Sequence, residues 1–497
     1  MTRVIVFITA CTALVLIAIA DPFYAASVEN LDTGAVDAYI EKEMRASRIP
    51  GLALGIVQDG EIIYLKGYGS AGSGREVAPE TPFIIGSLSK SFTAAAAMQL
   101  VETGKLELDE PVKTYLPWFS MAGEYDADEI TVRHLLVQTS GIPNLAGVTS
   151  LAESSTKRLE EEVRGLSNTS LEHRPGEAYI YSNANYLILG LLIEAVTGQD
   201  YSEYVHSSLF ESLAMENSYL SKHEGETGSM ASGHVRWFGT AIESDVQYLD
   251  NSLAAGFIIS SAEDMCRYML MHINQGSYKG IDVLSTGSVN EIHRPGIVTE
   301  DGGGYAMGLL KRIENDTVIM NHDGSTQGFN AAMAFSPEDQ WAVVVLTNTS
   351  GQIEIPAGSI TMGVAEFLMG REPVNSSRVP FFIYLTLLIL ILMLISLVIR
   401  SIIILPRKWG NNIKAKRPRG IPSLLRKVIL PLLLELFVPF IILYYIPAGA
   451  GFSVWQLLAL FHPDLVYGII LLSLLMLAKA LWRAFIAIKI LSAPGRA

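Results

Sequence analysis

The stretch GSLSKSFTA, Gly86–Ala94, decides how this chain is read. Ser87 and Lys90 are three residues apart, so on a helix both side chains share one face near its positively polarised N-terminus. A serine hydroxyl is a poor nucleophile until something takes its proton, and a buried lysine with a depressed pKa can do so. A serine at a helix start also caps free backbone amides, and a lysine one turn in is ordinarily a solvated charge. Ser154 and Lys157 repeat the spacing inside the polar run ESSTKRLEEE, so the pattern needs further residues before it means catalysis.

Working outward, TGAVDAYIEKEMRASRI (33–49) places Val36, Tyr39, Ile40 and Met44 on one helical face, ended by Pro50-Gly51. LALGIVQ and EIIYLKGYG flank Asp59-Gly60, a hairpin signal. From Gly104 to about Cys266 the patterns are mostly helical or loop-like, including NYLILGLLIEAVTG (185–198). Strands return in TVIMNHDG (317–324), then in NAAMAFS and WAVVVLT around Pro337-Glu338-Asp339, and AGSITMGVAEFLMG (357–370) reads as a helix. Strands at both ends with helices between predict an α+β domain: an antiparallel sheet flanked by helices and interrupted by a helical insertion.

Two further patterns accompany the serine and lysine. GEAYIYSNANY holds Tyr181-Ser182-Asn183; a phenol near a lysine can shuttle a proton, and an asparagine amide can hold both that lysine and a substrate carbonyl. Taken alone, Tyr181 reads as a ring packed in the turn after Pro175-Gly176. NHDGSTQGF closes a strand with His322-Asp323-Gly324, followed by Ser325. Glycine lets a substrate backbone lie against such an edge, and histidine there can bind a carboxylate or relay a proton. His223-Glu224-Gly225 repeats the spelling with no strand before it.

In the order S-x-x-K, Y-x-N, H-x-G, the three motifs resemble those of the penicillin-recognising serine hydrolases, most closely the class C β-lactamase-like branch. ITVRHLLVQTSGIP (130–143), RPGEAYIYSNANYLILGLLIEAVTG (174–198), AAGFIISSAEDMCRYM (254–269) and YAMGLL (305–310) extend the resemblance over about residues 31 to 370. The resemblance implies a serine β-lactamase-like fold with an all-helical lobe, Ser87 as the acyl-accepting nucleophile, and Lys90 and Tyr181 sharing base and acid work. It further implies substrate binding by Asn183, His322, Gly324 and Ser325, and an oxyanion hole from the backbone N–H groups of Ser87 and Ser325. No cofactor or metal is implied. His322 stands where β-lactamases of this branch carry lysine, which moves the expectation from β-lactams toward D-amino-acid amides or esters of the cell envelope. No G-x-S-x-G elbow occurs, so an α/β-hydrolase lipase is not supported.

Half of the 497 residues are hydrophobic, and the mean hydropathy of +0.33 exceeds that of ordinary soluble domains. The excess gathers beyond Pro380, in apolar stretches that predict membrane spans over about 381–399, 428–446 and 465–486. Nine lysines and arginines between Arg400 and Lys427, and none from Pro447 to Asp464, place the first loop and the C-terminus in the cytoplasm. The residues before Pro380 then lie outside. MTR followed by VIVFITACTALVLIAIA predicts a signal peptide or N-terminal anchor over 1–26. A hydrolase domain over 31–371, a linker over 372–379 and a membrane domain over 380–497 complete the organisation.

From Val379 onward 13 basic and 2 acidic residues give +11 against −14 for the whole chain, so residues 1–378 carry −25. Such a field disfavours nucleic acid as a partner, while the resemblance implies a small-molecule or cell-wall-derived substrate and the apolar spans imply membrane lipids. Cys11 and Cys266 are the only cysteines, too few and too far apart for a disulfide framework or a cysteine zinc cluster. Glu435 within the second span predicts a polar partner such as Lys479. A sensor that acylates slowly and reports through the spans is the alternative function, and a transporter core a third.

Overall fold

The computed structural model describes residues 31–147, 158–350, 356–373, 379–416, 418, 420–445 and 462–492. The predicted leader over 1–26, the Ser154–Lys157 decoy and most of the 372–379 linker lie outside the described residues.

Helix α1 (Thr33–Ser47) precedes a hairpin of β1 (Gly51–Gln58) and β2 (Glu61–Gly72). Asp59 and Gly60 both take positive φ, 51° and 80°, the mirror-image turn whose twist suits an antiparallel pair. A 3-10 turn at Gly86–Leu88 then leads into α2 (Ser89–Glu102), and the helical lobe follows with α3 (Asn183–Thr197). A second hairpin, β3 (His234–Trp237) and β4 (Thr240–Glu243), precedes α4 (Ala262–Ile273). The chain returns to the sheet through β5 (Leu310–Glu314), β6 (Thr317–Thr326), β7 (Phe329–Ser336) and β8 (Trp341–Thr347), and covers it with α5 (Pro356–Leu368).

The main sheet runs β5-β6-β7-β8-β1-β2, extended at either end by the two-residue strands Gly304–Tyr305 and Arg75–Glu76. Every described pairing in it is antiparallel. Helices cover both faces, which is why β1 and β8 read as continuous apolar runs rather than alternating ones. Leu52, Leu54, Val343 and Val345 face α1 and α5 and pack with Val36, Ile40, Ile360 and Val364. Ala53, Val57, Val344 and Leu346 face the other way, into the core shared with α2, α3 and α4.

That second core contains an unusual pair. His272, fully buried on α4, lies 3.1 Å from His293, ring nitrogen to ring nitrogen, and both rings pack on Phe335. Burial holds His293 at about 4 and His272 well below its ordinary value. A histidine depressed in the fold contributes no penalty above its unfolded pKa of about 6.5 and costs stability as pH falls from there toward 4. At pH 5 His293 should cost roughly 2 kcal/mol relative to pH 8. Thermal melts of the full chain should show His293→Gln losing less stability than the parent between pH 8 and pH 5; parallel curves would contradict this account.

Beyond the domain stand three helices long and apolar enough to cross a membrane: Phe382–Ala415, Ile421–Tyr444 and Pro463–Leu491. The first runs past the end of its predicted span and the second starts before its own, because the chain stays helical through five-residue π segments at Pro406–Gly410 and Leu425–Ile429, while the third extends its predicted span at both ends as regular α-helix. Their regular parts are α6 (Val379–Leu405), α7 (Leu430–Phe440) and α8 (Pro463–Leu491), with α8 packed against both others. Leu465 meets Tyr384 and Leu388 at one end, while Ile486 and Ile490 meet Leu405 and Ile413 at the other, so α6 and α8 run parallel.

Inside the bundle Glu435 accepts two hydrogen bonds from the Arg483 guanidinium, at 2.9 and 2.8 Å, and an ion pair from Lys479 at 2.9 Å. The predicted partner Lys479 is therefore present, together with Arg483. The Arg483 guanidinium also lies 4.8 Å over the Trp409 ring.

Candidate active site

The Ser87 turn is shaped by the strand beside it. Gly86 takes φ +56°, and a Cβ there would lie 2.5 Å from the backbone nitrogen of Ser325. A Cβ on Gly324 would lie 2.0 Å from the Ile85 carbonyl. Both glycines are required because β6 and the turn touch backbone to backbone, which brings the Ser325 N–H alongside Ser87.

Helix α2 continues from this turn with residues 89–98 all buried, which its small side chains permit. Two of its hydroxyls bond locally, Ser89 to the Gly86 carbonyl at 2.7 Å and Ser91 to that of Leu88 at 2.8 Å, while Thr93 reaches the distant Ala254 carbonyl at 2.8 Å. Ser89 also accepts the Ile258 N–H at 3.1 Å. Neither the turn nor α2 has a side-chain N-cap bond, so the capping role that sequence allowed Ser87 is not filled. Its half-buried hydroxyl is free to face Lys90 instead.

Lys90 is fully buried, with no carboxylate beside it among the described residues. Its ammonium nitrogen lies 3.0 Å from Ser87 Oγ, donates to the Ala255 carbonyl at 2.5 Å, and sits 5.0 Å from the Tyr181 ring and 5.7 Å from that of Tyr186. Burial alone pulls its pKa down to about 7, where the neutral amine is substantially populated at neutral pH.

Tyr181 precedes α3 in a segment fixed from behind by Gln138. Gln138, fully buried at φ +60°, accepts the Ile180 N–H on its carbonyl at 2.9 Å and the Ser182 N–H on its side-chain oxygen at 2.9 Å. Burial raises the Tyr181 phenol well above its ordinary value, opposed in part by a hydrogen bond with Ser87. It is therefore a proton donor at neutral pH. Asn183, the first residue of α3, reaches the cleft from the same turn.

His322 is buried on β6, its ring 6.2 Å from that of Tyr181 and edge-on to Tyr305 at 5.9 Å. Its Nδ1–H donates to the Asp323 carbonyl at 2.6 Å, leaving Nε2 without a partner. Burial first, then the charge of Lys90, lower its pKa to about 4, so the imidazole is neutral at pH 7.

The residues singled out by sequence thus converge from three distant segments. A cleft opens over Ser87, Asn183 and Ser325, whereas Lys90, Tyr181, His322 and Gly324 are not among its lining residues. Leu187, Ser252, Ala255, Gly256, Phe257 and Thr326 complete the lining and were not singled out beforehand. Ala255 contributes through its carbonyl, which no residue type advertises; Leu187, four residues after Asn183 on one helix face, could have been anticipated. Among the described residues no three His, Cys, Asp or Glu side chains gather as metal ligands.

The β-lactamase family profile matches residues 36–358. The chain belongs to the β-lactamase family. Among its relatives, the Staphylococcus aureus protein flp is 28% identical over 320 residues, 64% of this chain and 63% of that protein. The chain therefore spans less than two thirds of those curated relatives. PbpX of Bacillus subtilis, named as a penicillin-binding protein, is 27% identical over 331 residues, 66% of this chain and 78% of the relative. Among solved structures, the octameric penicillin-binding protein homologue from Pyrococcus abyssi superposes with a TM-score of 0.62 at 28% identity, covering 70% of this chain and 80% of that one. A class C β-lactamase, at 22% identity and a TM-score of 0.57 over 69% of this chain and 97% of the other, shares the fold of this β-lactamase-family chain.

Proposed function

We propose that this β-lactamase-family chain is a membrane-anchored serine hydrolase that works through an acyl-enzyme on Ser87. The observation that carries the reading is Lys90, fully buried, its pKa lowered to about 7 and its nitrogen 3.0 Å from the Ser87 oxygen.

In this reading neutral Lys90 accepts the Ser87 proton as Oγ adds to the substrate carbonyl carbon, and the N–H groups of Ser87 and Ser325 hold the oxygen that becomes negative. The Tyr181 phenol, kept protonated by burial, supplies a proton to the departing amine or alcohol and recovers one from Lys90. Water then adds to the ester carbonyl, its proton leaves along the same groups, and Ser87 is released. Asn183 orients the substrate amide beside the nucleophile. His322, neutral and with its buried Nε2 unpartnered among the described residues, carries hydrogen-bonding capacity rather than a permanent cation. That favours D-amino-acid amides or esters of the cell envelope over β-lactams, whose carboxylate suits a lysine.

The basic residues between Arg400 and Lys427 support an orientation with that loop and the C-terminus in the cytoplasm and the hydrolase domain outside. The charged cluster at Glu435 supports a second reading, in which slow deacylation lets the bundle report an occupied site.

Full-length protein in detergent should take a covalent label from a fluorescent fluorophosphonate or penicillin, and Ser87→Ala should take none. A wild-type chain that forms no adduct with either probe sinks the proposal. Turnover of a D-Ala ester, a D-Ala-D-Ala peptide and a chromogenic cephalosporin then separates the substrates, and rapid turnover of any excludes a pure sensor.

A further inference from the structure

The hairpin β3–β4 touches the long apolar helices with its tip and, with its base, the turn that follows the cleft-lining residues Ser325 and Thr326. At the tip, Asp464 in the first turn of α8 is 2% exposed and accepts the backbone N–H of Phe238 at 2.8 Å. The same carboxylate oxygen accepts the hydroxyl of Tyr384 from α6. The Trp237 ring stacks on Tyr467 of α8, centroids 5.7 Å apart and planes within 13°. A carboxylate buried at a helix N-terminus is favoured by the helix dipole and by each donor it accepts, so losing it strands a peptide N–H and a phenol together. Tip and bundle are thus held by polar and aromatic contacts from two transmembrane helices at once.

At the base, the His234 N–H is shared between the carbonyls of Gly328, at 3.3 Å, and Asn348, at 3.0 Å. Just past the hairpin, the Gln247 N–H donates to the side-chain oxygen of Gln327 at 3.0 Å. A Cβ on Gly328 would lie 3.0 Å from Gly233 Cα, so the two backbones are in contact. Gln327 and Gly328 form the turn after β6, and the two residues before them, Ser325 and Thr326, line the cleft with Ser87.

We infer that the β3–β4 hairpin positions the cleft rim from the membrane bundle, with Asp464, Tyr384, Trp237 and Tyr467 as positioning residues for Ser325 and Thr326. The inference rests on Ser87 being the acylated residue, since the rim matters only to a substrate held there. It gives the three-helix region a task beyond tethering, for which one helix suffices. The bundle holds the hairpin, the hairpin holds the Gln327–Gly328 turn, and that turn sets the strand edge on which substrate lies.

The test uses the full chain in phosphatidylcholine–phosphatidylglycerol nanodiscs, comparing wild type with Asp464→Ala and the milder Tyr384→Phe. Hydrogen exchange should rise in residues 234–243 and also in 325–330. Acylation by a fluorescent penicillin should show binding weakened by about fivefold, and, because the Ser325 N–H is also an oxyanion donor, a lower limiting acylation rate as well. A merely structural loss would instead lower the fraction of active protein without changing that binding constant. Faster exchange confined to 234–243 overturns the inference, as does binding unchanged within about twofold in a variant whose hairpin is released. Unchanged exchange at 234–243 in both variants overturns it too, because the named contacts would then not hold the hairpin. Should Asp464→Ala fail to fold, Tyr384→Phe decides alone. Should wild type take no label, the Ser87 reading falls and exchange at 325–330 still decides the coupling.

Discussion

Lys90→Met should leave a well-folded protein that acylates Ser87 about a thousandfold more slowly. Methionine fills the same buried volume without an ammonium to dehydrate, so the melting temperature should hold or rise while activity is lost. That opposition separates a missing base from a damaged fold. In wild type the reactive form of Lys90 is the neutral amine, whose share grows as pH rises through about 7. The acylation rate should climb by about tenfold per pH unit below 7 and flatten above it. Stopped-flow acylation between pH 5 and pH 9 checks the sign, and a rate that falls with rising pH would remove Lys90 from the role of base.

The second large effect lies in the bundle. Glu435→Ala leaves Lys479 and Arg483, both mostly buried, without a counter-charge, and should destabilise the helices by roughly 3 to 5 kcal/mol. Lys479→Met should cost much less, because Arg483 keeps both hydrogen bonds to the carboxylate. Equilibrium unfolding in mixed micelles compares the two, and similar losses would show that the pair does not behave as an Arg483–Glu435 unit with Lys479 at its side.

Much of this molecule is legible in its sequence where local chemistry and tertiary structure agree. Asp59-Gly60 announces a hairpin because those residues tolerate positive φ, and WAVVVLT coincides with β8 because a strand covered on both faces has nothing polar to show. Ser87, Lys90, Tyr181 and His322 converge as their motifs implied. The hairpin at 234–243 went unread for a physical reason: Phe238 occupies a positive-φ position, 51°, that asparagine or aspartate ordinarily fills. The Asn315-Asp316 turn into β6 carries such a signal, at φ 50° and 67°, yet β5 before it was not read as a strand either. What sequence withholds is backbone in a structural role, such as the Ala255 carbonyl on Lys90 and the Gln138 carbonyl behind Tyr181.

The pairing of β1 with β8, Leu52 opposite Thr347, has a consequence for biogenesis. A chain that emerges from its N-terminus makes GLALGIVQ early and its central partner strand almost last. Until Trp341–Thr347 is delivered, one edge of β1 stays open, with side chains destined for burial on both faces and every ladder group on that edge unpaired. Closure of so non-local a sheet is slow, and it falls due just as α6, the first of the three long apolar helices among the described residues, follows out of the ribosome. Completion of the sheet and emergence of that helix are therefore neighbouring events, and a delay in the first prolongs the exposure of β1 while the second is already being made.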